Sequence, residues 1–258
     1  SDGSYLYITT DLATILYRQN NIGYDKALYI VDNRQSLHFK QLFDSIRFFN
    51  FNNLEHEHIS YGTLNDSEGN PFKTRDGGTK PLSELFDETY DYIEKINNSL
   101  DQSTISQLTN SVLTYSDLIT NRKTDYKFDL EKFTNVNGKT GIYVQYSQVR
   151  AKKLLENIEN QNSRLTKLIL NDTDKQLLST LFLFGYYLEQ SASLNEPHHL
   201  AGYLYEISNL FNQFYENEKL SEIKNREHIS SKLFITNLFL TTSSNAMLCL
   251  GITPVSRM

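Results

Sequence analysis

The feature that most constrains the fold is an alternation of apolar runs and helical repeats near the start of the sequence. Residues 5–9 form a short run that is mostly aromatic and β-branched, and Asp11 follows it where a helix N-cap would lie. Apolar residues then repeat at helical spacing until Gly23, and residues 27–31 form a nearly continuous apolar run. A second amphipathic helix begins near Gln35. This order of strand, helix, strand and helix predicts a right-handed βαβ unit with parallel strands.

Polar side chains collect where both predicted strands end. Ligands of open α/β sheets bind outside the carboxyl ends of the strands. Those ends hold residues 7–11 and 32–35, so we expect a ligand site there. Asp11 has two possible roles, as a ligand-binding carboxylate or as an ordinary helix N-cap, and both would use the same oxygens. The strand and helix pattern by itself leaves the two roles open.

Charge is distributed unevenly along the chain. The net charge is −6, yet residues 121–153 contain eight basic and three acidic side chains, which gives +5 locally and −11 elsewhere. Aromatic residues are interleaved with the basic ones in this segment. Basic side chains can meet phosphates while aromatic faces stack on unpaired bases, so the segment is a candidate RNA-binding surface. The alternative is a solvated charged surface over an aromatic core.

The composition sets broader limits. With 39% hydrophobic and 22% charged residues the chain has the composition of a soluble globular protein, and its longest apolar run is too short to span a bilayer. The single cysteine, Cys249, excludes a disulfide framework and indicates a reducing compartment. Because Cys249 lies between two leucines, we expect it to be buried and inert. We also expect Phe182 to lie centrally in a helical bundle.

A series of short motifs runs through nearly the whole chain in a fixed order. It begins with a Y-x-T-x-D signature (Tyr7, Thr9, Asp11) and a Q-x-L-H motif (Gln35, Leu37, His38). It continues with FKTRDGGT (72–79), YSDLITNRKTDYKFD (115–129), GKTGIYVQYSQVR (138–150), HHLAGYLYEISNLFNQFYE (198–216) and GITPVSRM (251–258). The ordered set resembles class I arginyl-tRNA synthetases of the bacterial type.

The resemblance implies a fold class and a division into domains. It implies a partial Rossmann-like α/β fold, the second half of a class I catalytic domain, followed by an all-α helical bundle. We expect the catalytic part to span residues 1–85, a connecting and mostly helical region to span 86–135, and an anticodon-binding domain of the DALR type to span 136–258. In the last domain, a periodic apolar stripe on residues 200–214 predicts an amphipathic helix.

The resemblance also assigns site residues. Tyr7, Asp11 and Gln35 correspond to the residues that bind the substrate arginine, and His38 lies near them. Lys73 and Arg75 stand where the family has its mobile catalytic loop, which stabilises charge on the phosphates of ATP. Asp76 replaces the lysine that the family usually has, so an ordinary polar hairpin is the alternative for this loop. The tRNA-binding residues implied are Arg122, Lys123, Tyr143, Tyr146 and Arg150. We expect no metal site, because the histidines at 56 and 58 have no further ligand at metal-binding spacing.

The function implied is the ATP-dependent attachment of arginine to its tRNA through an arginyl-adenylate. The sequence contains no H-x-G-H signature, which class I enzymes need for ATP, so we expect a C-terminal portion of the enzyme that is inactive alone. The expected substrates are arginine, ATP with Mg²⁺ and tRNA(Arg), with no tightly bound cofactor. We expect a cytoplasmic enzyme that is monomeric when complete and has no membrane partner. The alternative function is a tRNA-binding module without chemistry.

Overall fold

The computed structural model describes residues 4–51, 54–65, 81–156, 167–217 and 223–258. The chain divides into two compact units. The first, the α/β unit, comprises Ser1–Leu64 and Arg122–Tyr126, and the second, the helical unit, comprises Asn65–Asn121 and Lys127–Met258. This division by contacts differs from the one predicted at about residues 85 and 135, and those domain boundaries stay a prediction.

Two parallel strands connected by a helix form the centre of the α/β unit. Its elements are α1 (Tyr7–Asn21), β1 (Lys26–Asp32), a 3-10 turn (Asn33–Gln35), α2 (Ser36–Phe48) and β2 (Glu55–Tyr61). β1 and β2 pair in register from Lys26 opposite Glu55 to Asp32 opposite Tyr61. The strand–helix–strand unit predicted for residues 5–31 is therefore wrong, and a parallel unit of the same kind is formed instead by β1, α2 and β2.

The strand predicted at residues 5–9 is wrong, because α1 begins at Tyr7. Ile8, Leu12 and Ile15 follow one another at helical spacing, and they pack on a cluster that contains Phe39 and Leu42. Burying this stripe outweighs the β-propensity of the segment, which is a weak and context-dependent preference. Asp11 consequently lies inside the helix and is not its N-cap, a position that Leu6 occupies.

The core of the α/β unit lies on one side of the β1–β2 pair. Its buried cluster is Ile15, Phe39, Leu42 and Ile46, with Tyr29 and Val31 of β1 packed against it. Leu28 and Ile30 point the other way, and Ile30 is 69% exposed. A nearly continuous apolar run such as that of β1 is typical of a parallel strand covered on both faces, but among the described residues only one face is covered.

The helical unit contains most of the helices. They are α3 (Leu82–Ile96), α4 (Gln102–Leu118), α5 (Leu130–Phe133), α6 (Gly141–Glu156), α7 (Asp172–Leu181), α8 (Phe184–Leu194), α9 (His198–Asn217) and α10 (Arg226–Cys249). Two short strands, β3 (Leu64–Asn65) and β4 (Tyr126–Lys127), pair with each other. The stripe predicted on α9 is confirmed, because all seven of its members are buried: Leu200, Tyr203, Leu204, Ile207, Leu210, Phe211 and Phe214. None of the helices that the structure describes is long and apolar enough to cross a membrane.

Buried polar side chains tie α6 to its neighbours and to the last residues of the chain. Gln145 donates to Ser111 Oγ of α4 at 2.7 Å and to the carbonyl of Thr253 at 2.8 Å, and it accepts from the backbone of Val255 at 2.9 Å. A Cβ at Gly141 would lie 2.2 Å from the carbonyl oxygen of Ser111, so only glycine allows this approach of the two helices. The GKTGIYVQYSQVR motif therefore has an evident structural role.

Two burial predictions in the helical unit are wrong. Cys249 is exposed, because the final turns of α10 bury Ala246, Met247 and Leu250 and thereby turn the intervening positions outward. Phe182 is 78% exposed, since it is the C-cap that follows α7 and not part of a central helix. Composition could not separate the buried from the exposed faces at the ends of these helices.

Candidate functional site

A hydrogen bond between α1 and α2 joins Asp11, one of the predicted arginine-site residues, to His38, which was predicted to lie near them. Asp11 Oδ2 lies 2.7 Å from Nε2 of His38, and the two residues are 27 positions apart in the sequence. The Asp11 side chain is 44% exposed and that of His38 is 29% exposed, so the pair is accessible to a ligand. Since Asp11 is not a helix cap, its oxygens are not used to satisfy the backbone of α1.

Tyr7 and Gln35 lie one helical turn from this pair. Tyr7 precedes Asp11 by four residues on α1, and Gln35 precedes His38 by three at the start of α2, so each pair shares a helix face. Within the described part of the chain, no residue hydrogen-bonds the side chains of Tyr7 or Gln35, and Tyr7 is 88% exposed. The site therefore offers a carboxylate, a phenol and an amide on two adjoining helix ends.

The turn between β1 and α2 is built by Asp32. Its carboxylate accepts from the backbone and the guanidinium of Arg34, at 2.7 Å from Arg34 N and 2.9 Å from Nε. This side-chain bond with Arg34 lowers the pKa of Asp32. Asp32 thus caps the 3-10 turn that carries Gln35 and directs the entry into α2.

Aromatic and histidine rings fill the space between α2 and the strands. Phe39 stacks on His58 with ring centroids 4.6 Å apart, and Tyr29 lies against Phe39 at 5.3 Å. His58 Nε2 donates to the carbonyl of Val31 at 3.0 Å, and Tyr24 Oη lies 3.0 Å from His56 Nε2. Burial lowers the pKa of His56. These histidines belong to the scaffold beneath the site.

On α6, three of the predicted tRNA-binding residues form the solvent-accessible face of the helix. Between residues 141 and 151 every position is buried except Tyr143, Tyr146 and Arg150. Their spacing of three and four residues places them on one helix face. Burial raises the pKa of Tyr143, whose hydroxyl lies 3.3 Å from Asn209 Oδ1 of α9.

The guanidinium of Arg150 is held by side chains of α6 and α9. It lies over the rings of Tyr146 and Tyr215, at 4.3 Å and 5.0 Å from their centroids. Its Nη1 donates to Glu216 at 3.0 Å and to Asn212 at 3.1 Å. The two tyrosine rings are therefore fixed in place around a charged group.

Residues on α9 that the sequence interpretation missed complete this surface. Tyr205 lies against Tyr143 with ring centroids 5.5 Å apart, and Lys139 lies over the ring of Tyr205 at 5.6 Å. We name the tyrosines 143, 146, 205 and 215 with Lys139 and Arg150 the tyrosine ridge. Its α9 members could have been found as the polar and aromatic positions that face away from the apolar stripe of that helix.

The remaining predicted residues lie elsewhere. Arg122 and Lys123 belong to the α/β unit, where the guanidinium of Arg122 donates to the carbonyl of Ser60. These two residues and the tyrosine ridge thus belong to different units of the chain. Lys73 and Arg75 lie outside the described residues, so the predicted catalytic loop stays a prediction.

One cluster at the start of α9 brings possible metal ligands together. Glu196, His198 and His199 each offer a ligand atom, and these atoms lie within 4.8 Å of one another. The histidine rings are 4.1 Å apart, and His199 Nε2 lies 3.4 Å from a carboxylate oxygen of Glu196. The positive end of the α9 dipole works against a cation at this position. We therefore assign no metal to the cluster.

The architecture consists of an α/β unit and a helical bundle, and family comparisons agree with it. Residues 1–130 match the family described as tRNA synthetases class I (R), catalytic domain, and residues 144–258 match the DALR anticodon binding domain. The chain therefore belongs to the family of class I tRNA synthetases that carries the designation (R). The predicted family and fold class are confirmed.

The relatives by sequence carry a more particular name. Arginine–tRNA ligase of Shewanella amazonensis is 35% identical over 269 residues, that of Alcanivorax borkumensis is 34% identical over 270, and that of Francisella tularensis subsp. novicida is 33% identical over 268. Each match covers 100% of this chain and 46% of the relative. The chain thus spans about half the length of the curated relatives it matches.

Solved structures show the same fold. The arginyl-tRNA synthetase of Thermus thermophilus superposes with a TM-score of 0.86 at 18% identity, covering 100% of this chain and 50% of that one. The Plasmodium falciparum arginyl-tRNA synthetase gives 0.82 at 24% identity, covering 100% and 46%. At these identities the likeness establishes the fold alone.

Proposed function

We propose that the protein is an arginine–tRNA ligase. The observation that carries the proposal is the similarity to arginine–tRNA ligases, at 33–35% identity across the whole chain. In the proposed reaction the carboxylate of arginine attacks the α-phosphate of ATP, and pyrophosphate leaves to give arginyl-adenylate. A ribose hydroxyl at the end of tRNA(Arg) then attacks the carbonyl carbon, and AMP leaves. ATP enters as its Mg²⁺ complex, so the ion comes with the substrate.

The geometry at Asp11 supports recognition of arginine. A guanidinium presents a planar fork of N–H donors that pairs with a carboxylate. Neutral oxygens, such as those of a phenol and an amide, can accept hydrogen bonds from its remaining N–H groups. Asp11, Tyr7 and Gln35 supply these three kinds of acceptor on two adjoining helix ends. We assign them to the amino-acid pocket, with Asp11 as the anion. Lys73 and Arg75 are assigned to the phosphates of ATP from the family resemblance.

The tyrosine ridge supports contact with RNA through stacking. Since Arg150 already pairs with Glu216 and lies between two rings, we propose that it orders Tyr146 and Tyr215 and does not mainly bind phosphate. Tyrosine faces stack on unpaired bases, as in an anticodon loop. Arg122 and Lys123 are proposed as separate phosphate contacts from the α/β unit. We further propose that the connector between about residues 86 and 135 joins the two functions, and that the complete enzyme is a cytoplasmic monomer.

The experiment that tests the proposed activity uses the natural protein that carries this sequence. We expect arginine-dependent exchange of pyrophosphate into ATP and charging of tRNA(Arg). Asp11→Ala would leave the bound guanidinium without its anion, which costs about 3–5 kcal/mol, roughly a hundred- to several-thousand-fold in arginine affinity. The matched control is Asp44→Ala, an exposed aspartate of α2 that pairs with Arg47 on the same helix.

Two results would contradict the proposal in different ways. Unchanged arginine kinetics in Asp11→Ala, with normal wild-type activity, would remove Asp11 from the pocket. Absence of charging and of exchange in the wild type, with tRNA still bound, would favour the binding module.

A second experiment tests the tyrosine ridge as an RNA-binding surface. It measures the affinity of tRNA(Arg) for the wild type and for variants of the ridge. Tyr146→Ala should weaken binding, because loss of one stacked base costs about 1–3 kcal/mol, roughly five- to more than a hundredfold. The salt dependence of binding should be unchanged, since no phosphate contact is removed. The control is Tyr186→Ala, an exposed tyrosine on α8 of the same unit. Equal affinity of both variants and the wild type would leave the ridge without a role in RNA binding.

A further inference from the structure

The residue in the candidate site that still lacks a role is His38. The family resemblance places it near the arginine pocket, but the structure joins its Nε2 to Oδ2 of Asp11 at 2.7 Å. Its ring meets that of Phe39 edge-on, at 5.4 Å and 83°, and Phe39 belongs to the buried core of the α/β unit. His38 is thus held by the scaffold on one side and bonded to the carboxylate on the other.

The orientation of Asp11 depends on this bond. An aspartate on an accessible helix face can rotate about both of its side-chain torsions. His38 bonds only Oδ2, and within the described residues Oδ1 accepts no hydrogen bond. The plane of the carboxylate is therefore fixed while one oxygen stays available. A guanidinium in that plane can donate to Oδ1, and to the second lone pair of Oδ2, which His38 does not use.

We propose that His38 is a positioning residue of the arginine pocket, which holds the Asp11 carboxylate through Oδ2 so that Oδ1 faces the guanidinium of the substrate. This inference rests on the proposed function, because it names the group that orients the proposed anion. The competing explanation is a purely structural tether between α1 and α2. A tether would stabilise the α/β unit without acting on arginine specifically.

The test compares two variants at position 38 in the natural protein that carries this sequence. His38→Leu removes the donor, and His38→Gln places an amide N–H near the position of Nε2. A single hydrogen bond of this kind corresponds to roughly three- to tenfold in binding. We therefore expect His38→Leu to raise the KM for arginine by about that factor, with little change in kcat or in the KM for ATP, and His38→Gln to recover most of the loss.

A double-mutant cycle with Asp11 separates positioning from tethering. If His38 acts only through Asp11, then His38→Leu adds no further rise in KM when Asp11 is already alanine. Circular dichroism checks that each variant is folded. Should His38→Leu not fold, His38→Asn, whose shorter amide cannot reach Oδ2, replaces it in the same comparison with His38→Gln.

The outcomes are distinct. A rise in arginine KM that His38→Gln reverses and Asp11→Ala abolishes supports the proposal. An unchanged arginine KM in a folded His38→Leu protein overturns it and leaves the arginine ligase assignment standing. The same additional loss in the Asp11→Ala background also overturns it, since His38 would then act by another route. A wild type without any arginine-dependent exchange overturns both this inference and the proposed function.

Discussion

The core cluster of the α/β unit contains four buried apolar residues, whereas that of the helical unit contains twenty among the residues that the structure describes. The helical unit adds buried polar contacts, such as the ion pair between Lys232 and Asp174 at 2.7 Å, with both side chains almost fully buried. The α/β unit leaves Ile30 and Leu28 of its strand on an open face. Burial of apolar side chains is the main favourable contribution to folding, so a larger core stabilises more. Among the described residues, the two proposed activities are therefore carried by regions whose cores differ in size.

The largest expected effect is unfolding of the α/β unit while the helical unit stays folded. Leu42 is fully buried in its four-residue cluster, and Leu42→Ala should cost about 2–5 kcal/mol. We expect the amides of β1 and α2 to lose protection in hydrogen exchange while those of α9 keep theirs. The control is Leu37→Ala, an exposed leucine of the same helix. Parallel loss of protection in α9 would show that the two units unfold together.

A smaller effect is expected where α6 approaches α4. Gly141→Ala places a methyl group against the backbone of Ser111 and should cost about 1–3 kcal/mol. Gly202→Ala on α9 meets no atom within 4 Å and should be stabilising by up to about 1 kcal/mol, because alanine is the better helix former. Urea denaturation of the helical unit measures both changes. If the two variants had equal midpoints, the close packing inferred at Gly141 would be wrong.

The smallest effect concerns an exposed ion pair and depends on pH. Arg257 pairs with Asp101, the N-cap of α4, and this bond lowers the pKa of Asp101 from its ordinary value of 3.8 to about 2. Because the folded-state pKa is depressed, the stabilisation is present above about pH 4 and is lost as the pH falls towards 2. Thermal unfolding of wild type and Arg257→Ala should therefore differ slightly at pH 6 and converge near pH 2. A difference that widens on acidification would exclude this pair as its source.

The sequence predicted best where a single period runs over many residues. The α9 stripe is of this kind and is confirmed. The strand at residues 27–31 is also confirmed, although it was predicted from a short apolar run without such a period. The strand prediction for residues 5–9 was wrong because a short apolar run is compatible with either a strand or a helix. Packing against Phe39 and Leu42 decides between the two. Contacts such as Asp11 with His38, or Arg150 with Glu216, join residues 27 and 66 positions apart. No local pattern specifies such pairs, so the sequence could name site residues but not their partners.

The bonds that Gln145 makes with Thr253 and Val255 have a consequence for how fast the helical unit folds. They join residues 108 and 110 positions apart, and Tyr115 bonds the carbonyl of Ala201 across 86 positions. Helical bundles usually fold quickly because their contacts are local, and the rate falls as contacts become more distant along the chain. When the buried polar groups of a central helix find their partners only in segments distant along the chain, large loops must close before those hydrogen bonds form. We therefore expect its refolding to be slow for an all-helical protein, with the docking of residues 252–255 as a late step.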